Sequence, residues 1–253
     1  MIAVRSLLFS IAFYLTTIAL LIGALPTFLM NRLGILRVAQ AWARVTLFLL
    51  RHIVGTRVEY RGLENIPLGG LLVASKHQSF ADIHALLPML ADPTFILKRE
   101  LTFIPLFGWL ALKAQMIPVD RKRGGAAVAE MNRRAREEVA RGRQILIYPE
   151  GTRRAPGAEP AYKQGVAHLY QSLSVPCLPV ALNTGLFWPR RRMILRPGTM
   201  VIEFLEPIAP GLEREAFLSE LQERVEGASE RLLDEARAHF GSRTWPPRCD
   251  GEP

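Results

Sequence analysis

The sequence predicts an α/β fold, a largely parallel central sheet flanked by helices, with an apolar two-helix segment at its front. Three observations carry this. From about residue 56, short apolar β-rich runs alternate with helical stretches, the pattern of a sheet buried on both faces whose strands are joined by crossover helices. Ahead of that lies a run, 6–31, without a single charge. Hydrophobic residues make up 49% of the 253, and the mean hydropathy of +0.14 is high for a domain living wholly in water. That apolar content excludes a disordered chain. Two cysteines, Cys177 and Cys249, cannot staple a fold of this size and suggest a reducing compartment.

The front segment comes first. About 20 apolar residues cross a bilayer as a helix, so 6–31 is long enough, and it is longer than the apolar core of a signal peptide. A second segment, 36–54, places Arg37, Arg44 and Arg51 seven apart on one helical face, with Val38, Trp42, Val45, Leu49 and Ile53 covering the rest. A basic stripe beside a broad apolar face suits a membrane interface, and equally a helix packed on the globular part. Arg32, Arg37, Arg44 and Arg51 follow the first segment, whereas Arg5 and the amino terminus precede it. If the first helix spans, this bias predicts that the bulk of the chain is cytoplasmic. A hairpin dipping into one leaflet is the alternative. The expected units are membrane-associated helices over 1–55, a catalytic domain over 56–241 and a flexible tail over 242–253.

In the globular part, strands are expected at 71–74, 94–97, 116–119, 144–148 and 177–182, and helices at 81–90, 105–114, 126–141 and 165–173. Segments 193–195 and 199–205 flank Arg196-Pro197-Gly198, a turn signal that predicts an antiparallel hairpin. A long amphipathic helix over 213–240 places Phe217, Leu221, Val225, Ala228 and Leu232 on one face.

Chemistry-bearing residues gather where strands end. Ser75 to Asp82, SKHQSFAD, leaves an apolar strand and opens a helix. His77 has the proton affinity for base work near neutral pH, and Asp82 can fold back across a turn to orient it. The plainer alternative is a surface histidine and an aspartate favoured by a helix N-terminus. Tyr148-Pro149-Glu150-Gly151-Thr152-Arg153 also leaves a strand; Pro and Gly force a sharp exit that presents Glu150, Thr152 and Arg153. Arginine suits bidentate phosphate binding. Lys98 and Glu100, then Asp120 and Arg121, sit at two further strand ends. Four strand ends supplying one His–Asp pair and several cations describe a site for a nucleophile and an anionic substrate.

These blocks resemble the bacterial 1-acyl-glycerol-3-phosphate acyltransferases of the wider glycerolipid acyltransferase group. The N-H-x-S-x-x-D block is matched by residues 76–82. K-x-E-L…P…G and a D-R pair are matched by Lys98, Glu100, Leu101, Pro105, Gly108 and Asp120-Arg121. F/Y-P-E-G-T-R is matched by 148–153, and a proline-containing apolar strand by 175–180. Order and spacing agree over roughly 71–182. The apolar front pair resembles the family's two-helix membrane motif. Lys76 stands where many members have Asn, and is expected to point to solvent or to an anionic substrate. Arg154 stands where a Ser often follows.

The resemblance implies acyl transfer from acyl-CoA or acyl-carrier protein to the 2-hydroxyl of 1-acyl-glycerol 3-phosphate. His77 would be the base, held by Asp82. Glu150, Gly151, Thr152 and Arg153 would hold the acceptor, with Arg153 and Lys98 or Arg121 on its phosphate and backbone N–H groups near Gly151 on the oxyanion. No metal or further cofactor is expected, since a thioester is already activated and His77 with His84 makes no ligand set. Membrane lipids, lysophosphatidic acid and the acyl carrier are the expected partners, and the cytoplasmic face of the inner membrane the expected location. The basic runs 121–123 and 190–192 lack interleaved aromatics, so nucleic acid is not an expected partner. Another lysolipid acceptor, such as a lyso-ornithine lipid, is the nearest alternative. A lipid-transfer or scaffold protein without turnover is a second. A serine hydrolase using Ser79 is a third, although no G-x-S-x-G elbow is present.

Overall fold

A computed structural model describes residues 1–240; the expected tail, 242–253, lies outside them, as does the side chain of Arg121. Seven strands form one sheet: β1 (Thr56–Arg61), β2 (Leu71–Ser75), β3 (Pro93–Lys98), β4 (Ile117–Val119), β5 (Gln144–Ile147), β6 (Cys177–Leu182) and β7 (Gly198–Phe204), in the order β1-β7-β6-β2-β5-β3-β4. Every pairing is parallel except β6 with β7. The sheet is therefore mixed, with β1 and β7 running against the other five.

Helices α3 (Ala81–Leu86), α4 (Phe107–Lys113), α5 (Gly125–Ala140), α6 (Gln164–Leu173) and α7 (Arg214–Phe240) flank the sheet. Strand alternation sorts the core. Leu72 and Ala74 of β2 pack with Ala135, Val166, Tyr170 and Phe217 of α5, α6 and α7. Leu71 and Val73 face Ala85, Leu86 and Leu90 on the opposite side. The expected inward face of α7 is buried in full. Helix α3 is shorter than expected because Pro88 cannot continue the hydrogen-bond ladder, and the chain tightens into one turn over Leu87–Met89.

The hairpin expected at 193–205 does not form. Residues 193–195 are irregular, with Met193 and Ile194 exposed, because the Leu195 backbone is taken by Ser6: its N–H donates to Ser6 Oγ at 2.9 Å and its carbonyl accepts from the same hydroxyl at 3.3 Å. Strand β7 pairs instead with β6 and with β1, a strand that periodicity did not single out.

Two helices, α1 (Ile2–Gly23) and α2 (Arg32–Leu49), precede the sheet. The segments Ile2–Leu29 and Arg32–Val54 are long and apolar enough to cross a membrane. Helix α2 widens into a π-type turn, Leu50–Val54, that Gly55 ends at φ +89°, a conformation that favours glycine. Arg37, Arg44 and Arg51 are exposed as expected. Arg32 is not free to meet lipid, because it makes a bidentate pair with Asp92, both N–O distances being 2.6 Å.

Both helices share a core with the sheet domain. Phe9 and Phe13 of α1 pack with Ala81, Leu186, Phe187 and Met200. At the centre of this contact lies His84, ringed by Phe13, Trp42, Phe80 and Trp188, with the Trp42 ring centroid 4.3 Å away. Its Nδ1 bonds the Phe80 carbonyl at 3.0 Å, and its Nε2 is buried without a partner among the described residues. Burial holds the imidazole neutral and pushes its pKa down to about 4.

The unfolded chain binds a proton on this ring below about pH 6.5, the folded chain only near pH 4. Stability should thus fall as pH drops through that window, by up to about 3 kcal/mol from this group. Thermal unfolding of full-length protein in detergent should show a steeper loss between pH 6.5 and 4 for wild type than for His84→Leu. Parallel pH curves for the two would refute the assignment.

Candidate active site

Strands β6, β2 and β5 are parallel neighbours, so their C-terminal ends deliver three loops to one edge of the sheet. The β2 loop carries His77, the β5 loop carries residues 148–153, and the β6 loop carries Asn183 and Thr184.

Asp82, wholly buried in the first turn of α3, ties the β2 and β6 loops together. Its Oδ2 accepts from the backbone N–H groups of Gln78 at 2.8 Å and Ser79 at 3.0 Å, and meets His77 Nδ1 at 2.7 Å. Its Oδ1 accepts from the Thr184 hydroxyl at the end of β6. A carboxylate serving as acceptor throughout makes Nδ1 the donating nitrogen of His77, which leaves the Nε2 lone pair free. The His77 ring, mostly buried, stacks on Tyr148 with centroids 3.8 Å apart and planes 14° from parallel. The Tyr148 hydroxyl is buried without a partner among the described residues, and burial raises its pKa well above the usual phenol value.

The β5 loop is tied to the β2 loop by its backbone: Arg154 N–H donates to the His77 carbonyl at 2.8 Å. Gly151, at φ +67°, donates its N–H to the Tyr148 carbonyl at 2.8 Å, which closes the sharp turn. That N–H is therefore engaged within the turn. Thr152 is exposed and Arg153 half-buried. Burial lowers the Arg153 pKa; Arg190 and Arg191 lower it further, and Asp82 opposes them. Arg190 also donates to the Arg153 carbonyl at 2.9 Å.

Glu150 departs from its expected place. Its side chain is turned inward and 1% exposed, and Oε1 accepts from Lys76 Nζ at 3.2 Å and from Ala161 N–H. Desolvation raises its pKa, against the opposing charge of Lys76. Lys76 likewise is buried rather than pointing to solvent or substrate, because two carboxylates, Glu150 and Glu226, compensate its ammonium. Ser79 is not placed as a nucleophile: its hydroxyl donates to the Trp188 carbonyl at 2.6 Å and accepts from Ala81 N–H.

Lys98 lies exposed at the end of β3, two strands from β2 and so about 10 Å across the sheet. Asp120 pairs with Arg99 at 2.9 Å and caps the short turn Arg121–Arg123 through Lys122 N–H. The role expected for the Arg121 side chain falls outside the described residues. Gly108 needs to be glycine for space: a Cβ there would lie 2.0 Å from the Thr102 carbonyl oxygen.

Residues 57–183 match the profile of a family described as Acyltransferase. The chain is 34% identical to the 1-acyl-sn-glycerol-3-phosphate acyltransferase of Pseudomonas aeruginosa over 75% of its own length and 74% of that protein. It is 30% identical to the mouse 1-acyl-sn-glycerol-3-phosphate acyltransferase alpha over 66% of its own length, spanning 60% of that protein. The crystal structure of the 1-acyl-sn-glycerophosphate (LPA) acyltransferase PlsC from Thermotoga maritima superposes with a TM-score of 0.78 at 26% identity, covering 92% of this chain and 98% of that one. The chain belongs to the acyltransferase family.

For this acyltransferase, motif reading singled out His77, Asp82 and Arg153, and did not single out Thr184, the stacking of Tyr148 or the partners of Lys76. Thr184 and Glu226 lie beyond residue 183, where the family match ends. The signal for Thr184 was available in the fold, as the residue two past the strand neighbouring β2.

Asp82→Ala should leave the Gln78 and Ser79 N–H groups and the Thr184 hydroxyl unpaired in the interior. At about 1–3 kcal/mol each, the loss should be at least about 3 kcal/mol. Denaturant unfolding in detergent checks this, and a loss below about 1 kcal/mol would contradict the assigned bonds.

Proposed function

We propose that the protein transfers an acyl group from acyl-CoA or acyl-carrier protein to the 2-hydroxyl of 1-acyl-sn-glycerol 3-phosphate, making phosphatidic acid for phospholipid biosynthesis. The observation that carries this reading is the His77–Asp82 pair, Nδ1 to Oδ2 2.7 Å, at a sheet edge where Arg153 is also delivered. The names of the Pseudomonas and mouse relatives support the acceptor.

An alcohol is too weak an acid to attack as alkoxide near neutral pH, so a base must take its proton as the bond forms. His77 Nε2 is free for that, and Asp82 stabilises the imidazolium that results. The alcohol oxygen bonds to the thioester carbonyl carbon, and the carbonyl electron pair moves onto oxygen. When that tetrahedral intermediate collapses, the C–S bond breaks and the leaving thiolate takes the proton from the imidazolium. The products are the acylated lipid and the free thiol, with no net redox change. The donor is activated already, so the reading calls for no metal and no further cofactor.

Arg153, crowded by Arg190 and Arg191, is a cation whose surroundings favour a bound anion, which suits the acceptor phosphate. Lys98 and Arg121 are proposed as outer contacts for the same charge or for the donor. Glu150 and Gly151 act on the acceptor by shaping the turn that carries Thr152 and Arg153.

The proposed location is the cytoplasmic face of the inner membrane. The exposed face of α1, including Leu7, Leu8, Ile11, Leu15 and Ile18, and the exposed Arg37, Arg44 and Arg51 of α2 support lipid contact.

His77→Ala should cut thiol release from acyl-CoA in the presence of lysophosphatidate by about 10²–10⁴-fold with the fold intact; activity within about tenfold of wild type would reject the base assignment. Arg153→Ala should chiefly raise the KM for lysophosphatidate, and an unchanged acceptor dependence would reject phosphate binding there.

A further inference from the structure

Lys76 occupies a position that an unpaired ammonium would not tolerate. Its side chain is 2% exposed, and the next residue in sequence is His77. Nζ donates to Glu226 Oε1 and Oε2 at 2.7 and 2.8 Å, and to Glu150 Oε1 at 3.2 Å. Glu226 projects from the middle of α7, and its Oε1 accepts from the Tyr162 hydroxyl at 2.9 Å. Glu150 is further held by Ala161 N–H at 3.4 Å, with Arg154 Nε 3.7 Å away, while its Oε2 is buried without a partner among the described residues. One cation thus joins the end of β2, the 148–153 turn, the limb returning toward α6, and α7.

The charges fit only as a set. Without Lys76, two carboxylates would share a largely dry space. Without Glu226, the ammonium would keep only Glu150, at the longer distance. Where many family members carry a neutral Asn at this position, no counter-charge is needed; this chain draws one from a helix outside the residues that match the family.

We infer that Lys76 and Glu226 form a charge clamp that positions the site: by fixing Glu150 it holds the 148–153 turn against His77. The stacking ring of Tyr148 and the cation of Arg153 ride on that turn, so the clamp sets their place relative to the imidazole. Both are positioning residues: Lys76 acts through Glu150, and Glu226 through Lys76. The inference rests on the acyl-transfer reading of the site.

The test is steady-state thiol release from acyl-CoA with lysophosphatidate, on full-length protein in detergent. It uses Lys76→Asn, Glu226→Gln and the double variant, with melting temperatures recorded. Misplacement of reacting groups by a fraction of an ångström lowers kcat more than it alters KM. Lys76→Asn should therefore lose more than about tenfold in kcat and Glu226→Gln about three- to tenfold, with the KM for lysophosphatidate raised as Arg153 shifts and the KM for acyl-CoA within about twofold. The double variant should lose no more than Lys76→Asn alone, because Glu226 acts through Lys76, a coupling that independent structural roles would not produce. A Glu226→Gln enzyme with wild-type kcat, or a double variant in which the two single losses multiply, would overturn the clamp. If Lys76→Asn does not fold, Glu226→Gln decides alone, since its side chain sits on the partly exposed face of α7. A wild-type protein that releases no thiol overturns the acyl-transfer reading, whereas an active wild type with an unaffected Glu226→Gln overturns only the clamp.

Discussion

The strand-end site depends on one buried carboxylate. Asp82 lies in the first turn of α3, where the helix dipole favours a negative charge, and it accepts from two backbone amides, a threonine hydroxyl and the imidazole of His77. Those donors come from the β2 loop and the β6 loop, so the aspartate is both the orienting partner of the histidine and the joint between two strands. The third strand, β5, is joined through the stacking of Tyr148 on His77 and the bond from Arg154 N–H to the His77 carbonyl. The histidine is thereby gripped on its ring face, at one nitrogen and along its backbone, with Nε2 the atom left over.

Much of this was legible in the sequence. Apolar runs of four to six residues alternating with helical stretches gave the parallel core, because strands buried on both faces have no polar side to show. His77 and Asp82 were legible because a short turn fixes their relation locally, the two lying five positions apart. What escaped detection depended on distant chain segments. Thr184 is 102 residues from Asp82 and Glu226 is 150 from Lys76, and no local periodicity encodes such pairs. The irregular path of 193–195 escaped for the same reason, since a serine near the start of α1 satisfies Leu195 from 189 residues away.

The charge excess also divides once the structure is known. Of the net +9, some cations work in the interior: Arg143, almost fully buried, pairs with Glu138 and Asp92 and donates to the carbonyls of Pro93, Ala114 and Gln115. Others gather at the site, where Arg190 lies against the loop of Arg153. Others are exposed on helix surfaces, among them Arg37 and Arg44 of α2 and Arg133 of α5. A single count of basic residues mixes these three populations, although only the second bears on an anionic substrate.

The contact between α1 and the catalytic loop has a consequence for how the enzyme would meet its lipid. Phe13 of α1 lies edge-on to Phe80, 5.9 Å between centroids, and Phe80 is three residues past His77. On the proposed reading, with the outer face of α1 in a leaflet, the imidazole would lie within a few side-chain lengths of that leaflet's edge. On the proposed reading, an acceptor anchored by its acyl chain would reach the base by lateral diffusion, without leaving the bilayer. Turnover would then track the mole fraction of acceptor in the lipid plane, and adding inert lipid at constant total acceptor would slow it by surface dilution.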